Sequence, residues 1–162
     1  MLKLMWALED SAFAQWVAGA PTIWAYPSIL TFHTVGMGIV VGASVVLDLR
    51  LLGVGPEVPV SRLKVLFRPL WWGFWLNAVT GVVLFIAHAA EKYGQAVFYV
   101  KLALIAVALV TVVRIRREIF PEDESAPTHP ITRKVKLLAV LSLILWAGAI
   151  TAGRLMAYIN LS

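Results

Sequence analysis

The sequence predicts an all-α fold: a four-helix transmembrane up-and-down bundle with an amphipathic interfacial helix at its N-terminus. Two observations lead to this prediction. The chain is 60% hydrophobic and 14% charged, with a mean hydropathy of +0.84, so it is far more apolar than an average soluble domain. It also contains four runs almost free of fixed charge, each long enough to cross a bilayer as a helix. We therefore expect residues 1–162 to form a single integral membrane domain.

Composition also restricts the chemistry. The chain has no cysteine, which excludes disulfides, thiolate metal sites, iron–sulfur clusters and covalently attached c-type haem. The formal net charge of +5 is explained by basic residues in loops at one membrane face, so we expect no nucleic-acid partner. Histidine, methionine and carboxylate side chains remain as possible metal ligands, and non-covalently bound cofactors remain possible.

The interfacial helix is predicted at about 4–18, where Trp6, Phe13 and Trp16 recur near helical spacing and Glu9 interrupts their apolar face. Residues 18–20 look like a signal-peptide cleavage site. However, the acidic residues at positions 9 and 10 would interrupt the apolar core that such a peptide needs, so we expect residues 1–20 to be retained.

The spans are predicted at about 28–49, 69–90, 96–115 and 137–159, where apolar runs are bounded by charged or Pro-rich segments. Residues 114–136 include three prolines and the acidic run 122–124, which is typical of a solvated loop. We expect His129, in that loop, to be exposed. Trp146, midway along the fourth span, is expected to pack inside the bundle.

Basic residues predict the orientation. Ten of them flank the loops after the first and third spans, whereas the other side has only Lys3 and Lys92. The ten are Arg50, Arg62, Lys64, Arg68, Arg114, Arg116, Arg117, Arg133, Lys134 and Lys136. The positive-inside rule then places both termini outside, which is the periplasm if the protein lies in a bacterial inner membrane.

Each span also carries one nitrogen-bearing side chain near the predicted outer face: His33, His88, Lys101 and Arg154. At ~1.5 Å of rise per residue, the predicted span ends put all four at one depth. An intramembrane titratable residue is a functional candidate by default. This layer is therefore the candidate site.

The pattern favours b-type haem near the periplasmic face. His33 and His88 would bind the iron, and Lys101 and Arg154 would neutralise the propionates. Gly36 and Gly81 lie on the same helix faces as the histidines, so a flat macrocycle could approach the backbone closely. The expected function is electron transfer, with quinol, a redox partner subunit or a second copy as partners, and a quinol-linked oxidoreductase subunit is one form of it.

Several alternatives remain open. A copper ion could bind His33 and His88, with Met37 or Met156 as soft ligands. The protein could also be a small transporter or a structural subunit without haem. Lys101 and Arg154 could snorkel to lipid phosphates or bind a quinone or an anionic substrate.

Two further patterns have simple structural interpretations. The stripe Gly38-x-x-x-Gly42 is typical of membrane-helix packing without any cofactor. Asp48 and Arg50 are expected to form an ion pair at the inner end of the first span, with a role for Asp48 in proton transfer as the alternative.

Part of the chain resembles a known group of proteins. The resemblance covers about residues 26–115 and is carried by His33-Thr-Val-Gly36, Val41-Gly-Ala-Ser44, Asp48-Leu-Arg-Leu-Leu-Gly53, Thr80-Gly81, Tyr93 and Phe98 to Lys101. These residues are similar to those of small bacterial four-span inner-membrane proteins with no assigned function. That resemblance implies the fold and the compartment. A looser similarity, four helices with facing histidines, is to membrane b-type cytochromes, although many of those have two histidine pairs and this chain has one.

Overall fold

A computed structural model describes residues 2–120 and 129–158, the side chain of Ala157 excepted. All regular elements in these ranges are helices, and four are long and apolar enough to span a membrane, so the predicted fold class is confirmed and the chain is a multi-pass membrane protein. The elements are α1 (Leu2–Glu9), α2 (Ala12–Gly19), α3 (Tyr26–Leu52), a 3₁₀ segment (Val60–Leu66), α4 (Phe67–Ala87), α5 (Ala89–Tyr93), α6 (Ala96–Ile119) and α7 (Arg133–Tyr158).

The predicted boundaries differ from the observed ones at several places. Helices α6 and α7 extend into the predicted loop 114–136, because the residues there include good helix formers on either side of the prolines. His129 is exposed, as expected. The acidic run 122–124, Pro121, Pro127 and the predicted end of the fourth span at 159 lie outside the described residues.

The long helices follow one another around the bundle in the order α4, α3, α7, α6. The backbones of α4 and α6 do not approach closely, and these two helices meet through aromatic side chains near both ends. At one end Phe85 stacks on Phe98, and at the other Phe67 contacts Phe120 edge to face. We call this boundary between α4 and α6 the seam.

Helices α3 and α4 cross at a pair of glycines. A Cβ placed on Gly36 would lie 2.8 Å from the backbone nitrogen of Asn77 and 2.9 Å from the carbonyl oxygen of Gly73. Such distances are shorter than van der Waals contact, so only glycine permits this approach. By contrast, a Cβ on Gly38 or Gly42 would meet nothing within 4 Å. Within the described chain, the Gly38-x-x-x-Gly42 stripe therefore faces away from the other helices.

The predicted N-terminal helix is two helices that meet at Asp10 and Ser11. The Ser11 hydroxyl accepts a hydrogen bond from the backbone N–H of Ala14, which caps α2 and explains the break. Glu9, which we expected to interrupt the apolar face of the N-terminal helix, instead binds α5. Its carboxylate accepts the backbone N–H of Ala90 at 2.8 Å, and so caps the first turn of α5. Ala14 and Val17 are buried where α2 packs on the bundle.

Helix α3 ends in a left-handed glycine. Gly53 has φ of 108°, and its N–H bonds to the carbonyl groups of Leu49 and Arg50, the usual way to end a helix. The Arg50 guanidinium then donates to the carbonyl oxygens of Pro56 and Val58, at 3.2 and 2.7 Å. These bonds tie the loop after α3 to the end of the helix.

Candidate functional site

His33 is fixed by helix α4. Its Nδ1 atom lies 3.0 Å from the carbonyl oxygen of Asn77 and 3.1 Å from the Thr80 hydroxyl oxygen. The Asn77 side-chain amide returns a bond of 2.7 Å to the carbonyl oxygen of His33. Because a carbonyl oxygen can only accept, these contacts assign the imidazole proton to Nδ1. The ring is therefore held in one tautomer and one orientation by two facing helices.

The other ring nitrogen of His33 is available for a ligand. Among the described residues nothing forms a hydrogen bond with Nε2. With the proton on Nδ1, Nε2 carries a lone pair and can accept a hydrogen bond or bind a metal. A ring nitrogen anchored on a backbone carbonyl, with the opposite nitrogen free, is the usual arrangement of a functional histidine.

Lys101 approaches the same region from α6. Its chain lies over Gly153 of α7, where a Cβ would be 3.6 Å from Cε and 3.7 Å from Nζ. The ammonium group is close enough to act electrostatically on His33. The structure thus brings together His33 and Lys101, two of the four predicted nitrogen groups, and all four long helices contribute to their surroundings.

His88 and Arg154 are not part of this arrangement. His88 lies at the junction of α4 and α5, and its ring packs edge to face on Tyr26, with centroids 5.7 Å apart. Because His33 contacts α4 at Asn77 to Gly81, seven or more residues before His88, the two rings differ in depth by about two helical turns. The Arg154 side chain is exposed on α7.

These positions do not fit a haem held between His33 and His88. A Cβ on Gly81 would lie 3.0 Å from Cε1 of His33, so this edge of the ring packs directly on the α4 backbone and no porphyrin fits between the ring and α4 there. Gly36 likewise contacts α4 rather than an open face. The two glycines therefore serve helix packing and imidazole packing.

An aromatic pair borders the site on the seam. The Phe85 and Phe98 rings are nearly parallel, at 15°, with centroids 5.1 Å apart. Phe98 precedes Lys101 by three residues and so shares its side of α6. Sequence reasoning missed this pair, since apolar residues in a membrane span give no signal of their own.

A small cavity lies deeper in the bundle, between Asn77, Met37 and Trp146. Its volume of about 20 Å³ is enough for a water molecule and far below that of a typical ligand pocket, about 300–1,000 Å³. Trp146 is buried, as predicted, and its indole nitrogen has no hydrogen-bond partner among the described residues. The cavity carries a polar lining only at Asn77 and Trp146.

The expected ion pair between Asp48 and Arg50 is absent. Arg50 binds backbone carbonyls of the following loop, whereas Asp48 is fully buried in the bundle. Residues two apart on a helix point to different sides, which is why these two cannot meet.

A copper ion would need more ligands than His33 and His88 supply. In the part of the chain that the structure describes, no group of three or more His, Cys, Asp or Glu side chains could hold a metal ion. The Lys101 charge, within electrostatic range of His33, also disfavours a bound cation there.

Comparison with known proteins places the chain in a family. No match was found among curated proteins or among solved structures. A family model described as a family of unknown function, DUF6644, matches residues 15–159, a range that includes His33, Lys101 and Asp48. This chain belongs to DUF6644.

Proposed function

We propose that this protein is a quinone-binding subunit of an electron-transfer system in the bacterial inner membrane. One observation carries the proposal: His33 Nε2 has no hydrogen-bond partner among the described residues, and the Lys101 ammonium group lies within electrostatic range of the ring. A lipid-soluble ligand would reach these groups through the seam. A quinone head group has two carbonyl oxygens that accept hydrogen bonds, and its quinol form has two hydroxyl groups that donate them.

The surroundings suit such a ligand better than a small ion. Lys101 can donate to a carbonyl oxygen, and His33 Nε2 can accept a quinol hydroxyl proton. The Phe85 and Phe98 rings on the seam offer flat apolar surfaces on which a quinone ring could stack. A lipid-soluble ligand would also enter from the bilayer, so this function requires no aqueous channel through the bundle.

Redox chemistry at this site requires a partner. Oxidation of a bound quinol releases two electrons and two protons. His33 would take one proton and water at the nearby bundle end the other, while the two electrons would pass in two successive transfers to a one-electron acceptor on a partner subunit, such as a haem that is reoxidised between them.

The positive-inside distribution of basic residues supports a location of this site near the periplasmic face, with both termini in the periplasm. Fusion of alkaline phosphatase to the C-terminus should give an active enzyme, and fusion of a cytoplasmic fluorescent reporter should give no signal. The reverse pattern would refute the orientation.

The test uses the purified full chain in nanodiscs and a short-chain ubiquinone analogue as probe. Loss of a hydrogen bond involving a charged group costs about 1.5–3 kcal/mol, so Lys101→Gln should weaken binding by about ten- to a hundredfold. His33→Gln should abolish proton acceptance and weaken quinol binding. The matched controls are His88→Gln and Arg154→Gln, which should bind as the wild type does. Absence of saturable binding to the wild type refutes the proposal.

A second candidate is favoured by the Asn77 carbonyl bond to Nδ1, since such bonds also orient metal-bound histidines. In this case haem b would bind His33 alone, with Lys101 near a propionate. An absorption spectrum separates the candidates. A Soret band that His33→Ala removes and His88→Ala retains would support haem on His33, whereas loss in both variants would restore the original pairing of the two histidines.

A further inference from the structure

A second polar cluster lies inside the bundle near its basic end, the end that carries the loops after α3 and α6. Asp48 and Ser44 project from successive turns of α3, and Ser142 approaches the Asp48 carboxyl group from α7. All three side chains have no exposed surface. None of their side-chain oxygens has a hydrogen bond of good geometry among the described residues.

Among the described residues, no charged side chain acts electrostatically on the Asp48 carboxyl group. Leu47 and Leu51 flank Asp48 on α3 and are themselves buried in the apolar core. Most basic side chains of the packed elements at this end are exposed. They are Arg62 in the 3₁₀ segment, Arg68 on α4, Arg114, Arg116 and Arg117 on α6, and Arg133, Lys134 and Lys136 on α7. Lys64 in the 3₁₀ segment is half-buried and has an interaction of its own. Arg50 binds loop carbonyls.

A carboxyl group in such a place must be neutralised. Burying an ionised carboxylate without a partner is far more costly than burying a neutral acid, whose O–H can bond to a neighbouring hydroxyl. Ca²⁺ and Mg²⁺ need about six or more oxygen ligands. The cluster offers two carboxyl and two hydroxyl oxygens with one charge, so a bound proton satisfies it with the groups present.

We propose that Asp48, Ser44 and Ser142 form a proton-binding site, in which the Asp48 carboxyl group is protonated at neutral pH and exchanges its proton with water. The two hydroxyl groups, each able to donate and accept, pass the proton to and from the carboxyl group. The site is independent of the proposed quinone site, which lies about 22 Å along α3 at ~1.5 Å per residue from His33 to Asp48.

Infrared spectroscopy of the full chain in nanodiscs tests this proposal directly. A protonated carboxyl group has a carbonyl stretching band distinct from that of a carboxylate. We expect such a band at neutral pH, its loss in Asp48→Asn, and its retention in Asp10→Asn, a matched change at an exposed aspartate. Ser142→Ala should shift the band, because it changes the hydrogen bonding of the carboxyl group while leaving the acid in place.

Exchange is tested by transfer to D₂O, which should shift the Asp48 band within the time of buffer exchange. Absence of an Asp48 band at neutral pH would show that the group is ionised and overturn the proposal. A band that stays unshifted for hours would also overturn it, since the proton would not exchange. If the band were lost when sodium replaced potassium in the buffer, the site would bind sodium rather than a proton. Failure of quinone binding would leave all these outcomes unaffected.

Discussion

The crossing of α3 and α4 predicts a large difference between two chemically identical substitutions. Gly36→Ala places a methyl group 2.8–3.2 Å from backbone atoms of Asn77 and Gly73, so the helices must separate. Gly38→Ala places the same methyl group on the same helix in open space. Both changes gain helix propensity of up to about 1 kcal/mol relative to glycine. In the difference between the two variants this gain cancels.

What remains is the clash. Overpacking of a close-packed interface costs about 1–3 kcal/mol, and the atoms met at Gly36 are backbone, which cannot rotate away. We therefore expect Gly36→Ala to unfold more easily than Gly38→Ala by about 1–3 kcal/mol. Separation of the helices should also lengthen the bonds between His33 and Asn77, and so weaken binding of the quinone analogue.

The assay is equilibrium unfolding of the full chain in mixed micelles with increasing SDS, followed by helical circular dichroism. Gly38→Ala is the control for propensity and expression. Equal free energies of unfolding for the two variants would refute the close crossing. Equal free energies of unfolding together with unchanged quinone binding would also show that His33 is positioned by something other than the crossing of α3 and α4 at Gly36.

Three further predictions follow from individual contacts. Asn77→Ala removes one interhelical hydrogen bond and should lower the free energy of unfolding by about 0.6 kcal/mol, at most about 1.7. Asp48→Asn and Arg50→Gln should show a coupling energy near zero in a double-mutant cycle, since they share no contact, and a coupling above about 0.5 kcal/mol would restore the ion pair. Gly53→Ala forces a β-carbon into the left-handed region and should cost about 1–2 kcal/mol, as measured by the same unfolding assay, whereas no loss would mean that this helix end can rearrange.

The membrane spans could be predicted because their signal is local. A run of about 20 residues without fixed charge has few other uses, so α3, α4, α6 and α7 follow from hydropathy alone. The role of Glu9 could not be predicted in this way. Its partner is the backbone N–H of Ala90, 81 residues further along the chain, and no pattern within the N-terminal segment points to it. The separation of Asp48 from Arg50, however, follows from helix geometry and was predictable.

The depth of the histidines shows why a site is harder to predict than a span. Depths counted from span ends assume that all helices end at the same level, but α4 ends at Ala87 and leaves His88 at a junction next to Tyr26. The register of α3 and α4 is set instead by the point where Gly36 meets Gly73. Moving one turn along α3 from that point to His33 leads, on antiparallel α4, to Asn77 and Gly81, where the His33 ring lies. The sequence contains the glycines that fix this register, but Gly38 and Gly42 on the same helix are equally good candidates for the crossing. Only the packed structure shows which glycines form the crossing. The crossing in turn places His33 within electrostatic range of Lys101 rather than opposite His88.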